Sequence, residues 1–134
     1  MTELKVFVNG SFDILHVGHL ELLRYAKSLG DHLLVAVDSD RRITEKKGPL
    51  RPFNDEINRS SLMSELKPVD QVAIFDSDLD LINIIKEYQP DIMIVGSDWK
   101  GKPIVGSQFA KEIIYYDRTN NESTSRTIKR FTDR

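Results

Sequence analysis

The run His32-Leu33-Leu34-Val35-Ala36-Val37 carries no polar residue after its first position. A strand with one wet face alternates polar and apolar residues, so an unbroken run predicts a strand covered on both sides. That is the mark of a parallel sheet held between helices. Leu4–Val8, Gln71–Phe75, Asp91–Val95 (ending at Gly96) and Ile113–Tyr116 read as four further strands. Helical spacing separates them. His19–Leu29 places Leu20, Leu22, Leu23, Ala26 and Leu29 on one face, with Gly30 as a C-cap. Asn54 or Asp55 caps a helix running to about Leu66, which Pro68 prevents from continuing. Asp80–Tyr88 turns Leu81, Ile84 and Ile85 inward, and Ser123–Phe131 forms a last helix. Asp38–Phe53 is polar, basic and broken by Gly48, Pro49 and Pro52, so it reads as a long loop, and long loops are commonly functional.

Strands alternating with helices predict an α/β chain, a Rossmann-like three-layer sandwich on a five-stranded parallel sheet. At 134 residues the expectation is a single domain over residues 1–134. The formal net charge of −2, with both signs spread along the chain, argues against a nucleic-acid binder. The absence of cysteine excludes disulfides and thiolate metal sites. The start Met1-Thr2-Glu3-Leu4-Lys5 is not a signal region, and no apolar run reaches membrane-spanning length; a soluble cytoplasmic protein is expected.

Ligands of such sheets bind at the carboxyl ends of the strands. The segment reaching that edge after the first strand is Asn9-Gly10-Ser11-Phe12-Asp13-Ile14-Leu15-His16-Val17-Gly18-His19. Amides of a first helical turn lack intrahelical partners and sit at the positive end of the helix dipole, so this is a phosphate-handling arrangement. Gly18 has no side chain to hold a phosphate away. His16 and His19, three apart, fall on one helical face and can donate to the same anion. The same spacing leaves a metal site of Asp13, His16 and His19 chemically possible. Further along, Lys46, Lys47 and Arg51 sit in a stretch stiffened by Pro49 and Pro52, fit either for a phosphorylated ligand or for plain solvation. Trp99, the sole tryptophan, suits packing or contact with a flat ring equally well.

Gly10-Ser11-Phe12-Asp13-Ile14-Leu15-His16-Val17-Gly18-His19 resembles the signature of the HxGH nucleotidyltransferases, the cytidylyltransferase-like superfamily, and the resemblance extends from Val6 to about Ile128. It implies that His16 and His19 stabilise the α-phosphate of a nucleoside triphosphate while a substrate phosphate attacks it. It implies a nucleotide held by Asn9, Gly10, Ser11, Phe12 and Gly18, with Arg59 facing its phosphates. The base would lie near Gly96, Asp98 and Trp99. Arg118 followed by Ser123, Thr124 and Ser125 is similar to the second signature, an arginine and a helix start that take the β- and γ-phosphates. The acceptor would meet Asp13, Asp38, Lys46, Lys47 and Arg51. Catalysis would rest on His16, His19, Lys47 and Arg118, with Asp13 orienting the turn rather than acting as a base. Mg²⁺ would arrive on the triphosphate, without a metal site in the protein. A homodimer is expected because related enzymes form one.

Two branches of the superfamily look nearest. Lys47-Gly48-Pro49-Leu50-Arg51-Pro52-Phe53-Asn54 and Ile104-Val105-Gly106-Ser107 resemble the heptose 1-phosphate adenylyltransferase domain, which makes an ADP-heptose for surface polysaccharide. Asp98-Trp99-Lys100-Gly101-Lys102 and the spacing from Arg118 to Ser123 look more like glycerol-3-phosphate cytidylyltransferase, which makes CDP-glycerol. Gly96-Ser97-Asp98 departs from the Gly-Gly-Asp usual in the heptose branch. The expected reaction is therefore nucleotidyl transfer from ATP or CTP to a phosphate. A nucleotide-sensing module and a metal-dependent hydrolase are the alternatives from other classes.

Overall fold

The five apolar runs form five parallel strands in the order β3-β2-β1-β4-β5: β1 (Lys5–Gly10), β2 (His32–Asp38), β3 (Gln71–Phe75), β4 (Ile92–Gly96) and β5 (Glu112–Tyr116). The structure, a computed structural model, describes residues 3–117. The expected last helix at Ser123–Phe131 lies outside the described residues. Successive side chains of a strand point to opposite faces, and the core divides accordingly. Val6, Val8, Leu33, Val35 and Val37 pack with Leu23, Ala26 and Met63 of α1 (Val17–Ser28) and α3 (Glu56–Ser64). Phe7, Leu34, Ala36 and Met93 pack with Leu81 and Ile85 of α4 (Asp78–Tyr88) on the other face. The result is the expected three-layer α/β sandwich.

The sheet opens where its order reverses. β1 pairs with β2 from Lys5↔His32 through Gly10↔Val37, but with β4 only from Val6↔Ile92 to Val8↔Ile94. Beyond Val8 and Ile94 the carboxyl ends of β1 and β4 part, leaving a crevice at the switch point, where such sheets take ligands.

Three local expectations need correction. Residues 38–53 are not all loop: α2 (Asp40–Lys47) occupies half of them. Only Ile43 of this helix is buried, so its apolar signal is nearly absent. Polar contacts hold it instead: the Ser39 hydroxyl caps the Arg42 amide, and Arg41 pairs with Glu45 and Asp76. Gly30 is not the C-cap of α1; Leu29 is, in right-handed geometry. A Cβ on Gly30 would stand 2.8 Å from the Leu4 carbonyl oxygen, so close backbone approach explains this glycine. Finally, α1 begins at Val17 with His16 as its N-cap, ahead of the expected His19 start.

Candidate active site

The turn from β1 into α1 is built around Phe12, which adopts a left-handed φ of 49° although it has a side chain. Its buried ring leans over Gly10, where a Cβ would come within 3.1 Å of the ring edge, and meets the His19 ring edge-on at 5.2 Å. These contacts hold a backbone conformation that is costly for a non-glycine residue.

A reciprocal cap then fixes the two imidazoles. His16 Nδ1 accepts from the Gly18 amide at 3.1 Å, and the His16 amide donates to His19 Nδ1 at 3.3 Å. This is a capping box with histidine at both positions normally filled by Ser or Thr and Glu or Gln. The rings stack with centroids 3.9 Å apart. Because both Nδ1 lone pairs take backbone hydrogens, each neutral ring carries its own hydrogen on Nε2. No acidic residue in the first turn of α1 offsets the helix dipole. The expected open amide at Gly18 is corrected here, since its N–H belongs to His16. Of the two rings, His19 lines the adjoining cleft and His16 does not.

A cleft of about 600 Å³ lies over the parted ends of β1 and β4. Asn9, Gly10, Ser11, Phe12 and His19 line it from the first turn, and Gly96, Asp98 and Trp99 from the end of β4. Trp99 is half exposed at the lip, with the Lys102 ammonium 5.8 Å from its ring centre. From the other side α2 contributes Arg42 and Lys46. Lys47 reaches the Ser11 hydroxyl at 3.4 Å. Burial, and then the Arg51 guanidinium, hold its ammonium pKa below the ordinary lysine value.

Several expected ligand contacts turn out to be internal. Arg59 is 1% exposed, and its guanidinium does not face the cleft. It donates to the carbonyls of Asn54 (2.8 Å), Ser11 (2.9 Å) and Asp38 (2.6 Å) and to Asp40 Oδ1 (2.8 Å), binding the turn to α2 and α3. Asp38 turns its carboxylate to Arg42 Nε at 2.9 Å, steadying a cation of the cleft wall. Asp13 is likewise buried; its carboxylate accepts from the amides of Phe53 and Asn54 and from Arg51 Nε. That orientation also removes it from a metal site with the histidines, and the described residues contain no group of three metal-ligating side chains. Arg118, Ser123, Thr124 and Ser125 lie outside the described residues.

Sequence reasoning missed Arg42, which lines the cleft while bridging Asp38 and Asp78. It also missed Ser97, whose hydroxyl donates to Asp117, and the apolar wall of Ile104, Val105 and Tyr116. The spacing of Asp38, Arg42 and Lys46 at four-residue steps was the available signal, hidden because the segment reads as loop.

Known proteins are similar to this chain. The chain is 46% identical over 125 residues to the bifunctional protein HldE of Campylobacter fetus, covering 93% of this chain and 27% of that protein. It is 43% identical over 125 residues to the bifunctional protein HldE of Helicobacter pylori, covering 93% of this chain and 27% of that protein. The chain thus spans about a quarter of the length of these curated relatives. Among solved structures it is similar to the lipopolysaccharide core biosynthesis protein of Thermoplasma volcanium, with a TM-score of 0.71 and 28% identity over 90% of this chain and 100% of that one. A pantothenate synthetase from Thermus thermophilus shares the fold at a TM-score of 0.60 and 16% identity, over 92% of this chain and 60% of that one. The cytidylyltransferase-like family matches residues 7–130, from the third position of β1 past the last described residue of the cleft. The capped imidazole pair lies within that match, and the chain belongs to the cytidylyltransferase-like family.

Proposed function

We propose that this nucleotidyltransferase moves a nucleotidyl group from ATP to a sugar phosphate of the heptose 1-phosphate class, releasing pyrophosphate and leaving an activated sugar for surface polysaccharide. The observation that carries the reading is the imidazole pair of His16 and His19, held by reciprocal caps at the start of α1, with Lys47 reaching the Ser11 hydroxyl of the same turn. An oxygen of the acceptor phosphate attacks the α-phosphorus in line. A new P–O bond forms as the bond to the β-phosphate breaks, and its electron pair leaves with pyrophosphate. The acceptor is already ionised, so no proton has to move. His16 and His19 donate to the oxygens on which charge develops, while positioning does the rest. Lys47 and Arg51 hold the acceptor phosphate. Gly96, Asp98 and Trp99 receive the nucleoside, and Arg118 with Ser123, Thr124 and Ser125 receives the departing pyrophosphate. Mg²⁺ enters as part of the triphosphate substrate.

The heptose branch is supported by the Lys47–Asn54 segment, by the HldE relatives and by the lipopolysaccharide-core neighbour. Trp99 at the cleft lip, within Asp98–Lys102, supports the second reading, CTP with glycerol 3-phosphate. A homodimer in the cytoplasm belongs to the same proposal. Among the described residues no helix is long and apolar enough to cross a membrane. The test is pyrophosphate release from ATP, CTP, GTP and UTP, each offered with heptose 1-phosphate and glycerol 3-phosphate. ATP with heptose 1-phosphate should win; CTP with glycerol 3-phosphate selects the second reading, and silence in every pairing refutes both.

A further inference from the structure

Asp13 stands three residues before His16, yet its buried carboxylate faces a segment about forty positions away. The Phe53 amide donates to both its oxygens (3.0 and 2.9 Å) and the Asn54 amide to one (2.9 Å). The Asn54 side-chain amide returns a hydrogen bond to the Asp13 carbonyl at 2.7 Å. One turn thus grips the other through both backbone and side chain. Two amides alone would satisfy a capping carboxylate, but this one also takes the Nε–H of Arg51 at 3.3 Å. The far edge of that guanidinium ends in Nη2, which is buried and meets no hydrogen-bond partner among the described residues. Buried guanidinium hydrogens are seldom left without an acceptor. The Arg51 guanidinium, after burial, also lowers the Lys47 ammonium pKa, so the two cations repel each other. An anion with several oxygens relieves both conditions at once: it accepts from Nη2 and separates the two positive charges.

We infer that Asp13 is a positioning residue for the acceptor's phosphate, gripping the Arg51–Asn54 segment from within so that Arg51 offers its outer edge to that phosphate. The inference rests on the proposed function and deepens it. Asp13 touches no substrate. It sets the distance between the cation that holds the nucleophile and the imidazoles that await the α-phosphate.

The experiment is steady-state kinetics on Asp13→Asn, Arg51→Ala and the double variant, with ATP and heptose 1-phosphate varied separately. Loss of one oriented, charge-assisted hydrogen bond predicts an acceptor KM raised about tenfold or more in each single variant. The KM for ATP should stay within about twofold. The double variant should be no worse than Arg51→Ala alone, because Asp13 acts through Arg51. A rise of both KM values together, or effects that add in the double variant, would overturn the inference and return Asp13 to a purely structural role. If Asp13→Asn does not fold, Asn54→Ala removes the returning hydrogen bond and should show the same split at smaller size; equal shifts of both KM values overturn the inference there too. An unmodified chain without turnover on any phosphate acceptor refutes the proposed function instead, and is recognised because the parent protein itself is silent.

Discussion

Arg59→Met should unfold this chain more readily without selectively weakening nucleotide binding. Methionine keeps much of the stem's volume, so the change isolates the guanidinium. Its loss strips a donor from the carbonyls of Asn54, Ser11 and Asp38 and leaves the Asp40 carboxylate without its partner. Each buried acceptor left unmet costs about 1–3 kcal/mol, less where water enters, while the Asp40 carboxylate, 39% exposed, is met by water and adds little. A net loss of about 4 kcal/mol is expected against a total stability of about 5–15 kcal/mol. For a chain of 134 residues that lowers Tm by about 10–15 °C. Circular dichroism melts of parent and variant measure this, with Arg59→Lys falling between them because lysine cannot reproduce the fork. A Tm within about 3 °C of the parent, joined to a raised KM for ATP, would refute the reasoning and restore Arg59 to a phosphate-facing role.

His16→Asn should retain the fold, because asparagine is a good N-cap, while turnover falls by about 100- to 1000-fold; an unchanged melt with near-normal pyrophosphate release would remove His16 from the reaction. Gly106→Ala drives a Cβ into the Ile85 side chain at a left-handed φ of 81°. Strain and overpacking together should cost about 2–4 kcal/mol, and an unmoved urea midpoint would contradict it. Burial pushes the Tyr88 hydroxyl pKa above its ordinary value of 10.0. The folded chain then stays protonated where the unfolded one ionises. The stability Tyr88 contributes is complete below pH 10 and shrinks as pH rises beyond it. Melts between pH 8 and 11.5 should show a fall that Tyr88→Phe flattens; parallel curves would deny Tyr88 that part.

The sheet was legible because its central strands are buried on both faces, and Leu33–Val37 has no competing reading. α2 was not, because a helix with only Ile43 buried leaves no periodic stripe. It is stabilised by the Ser39 cap and by ion pairs whose partners, Asp76 and Asp78, lie more than thirty residues away. Within the site, the histidine pair was legible from spacing, but its hydrogen bonds to backbone were not, since histidine is not among the usual capping residues. Arg59 and Asp13 read as ligand-facing groups because sequence shows their charge and hides their partners. Those partners are carbonyls and amides, which every residue possesses. Gly30 was assigned to a turn for the same reason: the Leu4 carbonyl that crowds it has no sequence signature.

The reciprocal cap at the start of α1 also bears on which nucleophiles the cleft can use. Both imidazoles have given their basic nitrogen to a main-chain hydrogen, so neither can accept a proton without loosening the helix it begins. An alcohol would arrive with a hydrogen to lose and find no lone pair on these rings to receive it. A phosphate monoester comes stripped of that burden at neutral pH. Under the proposed reaction, the folding of this helix favours a partner that has no proton to shed, before any loop has touched it.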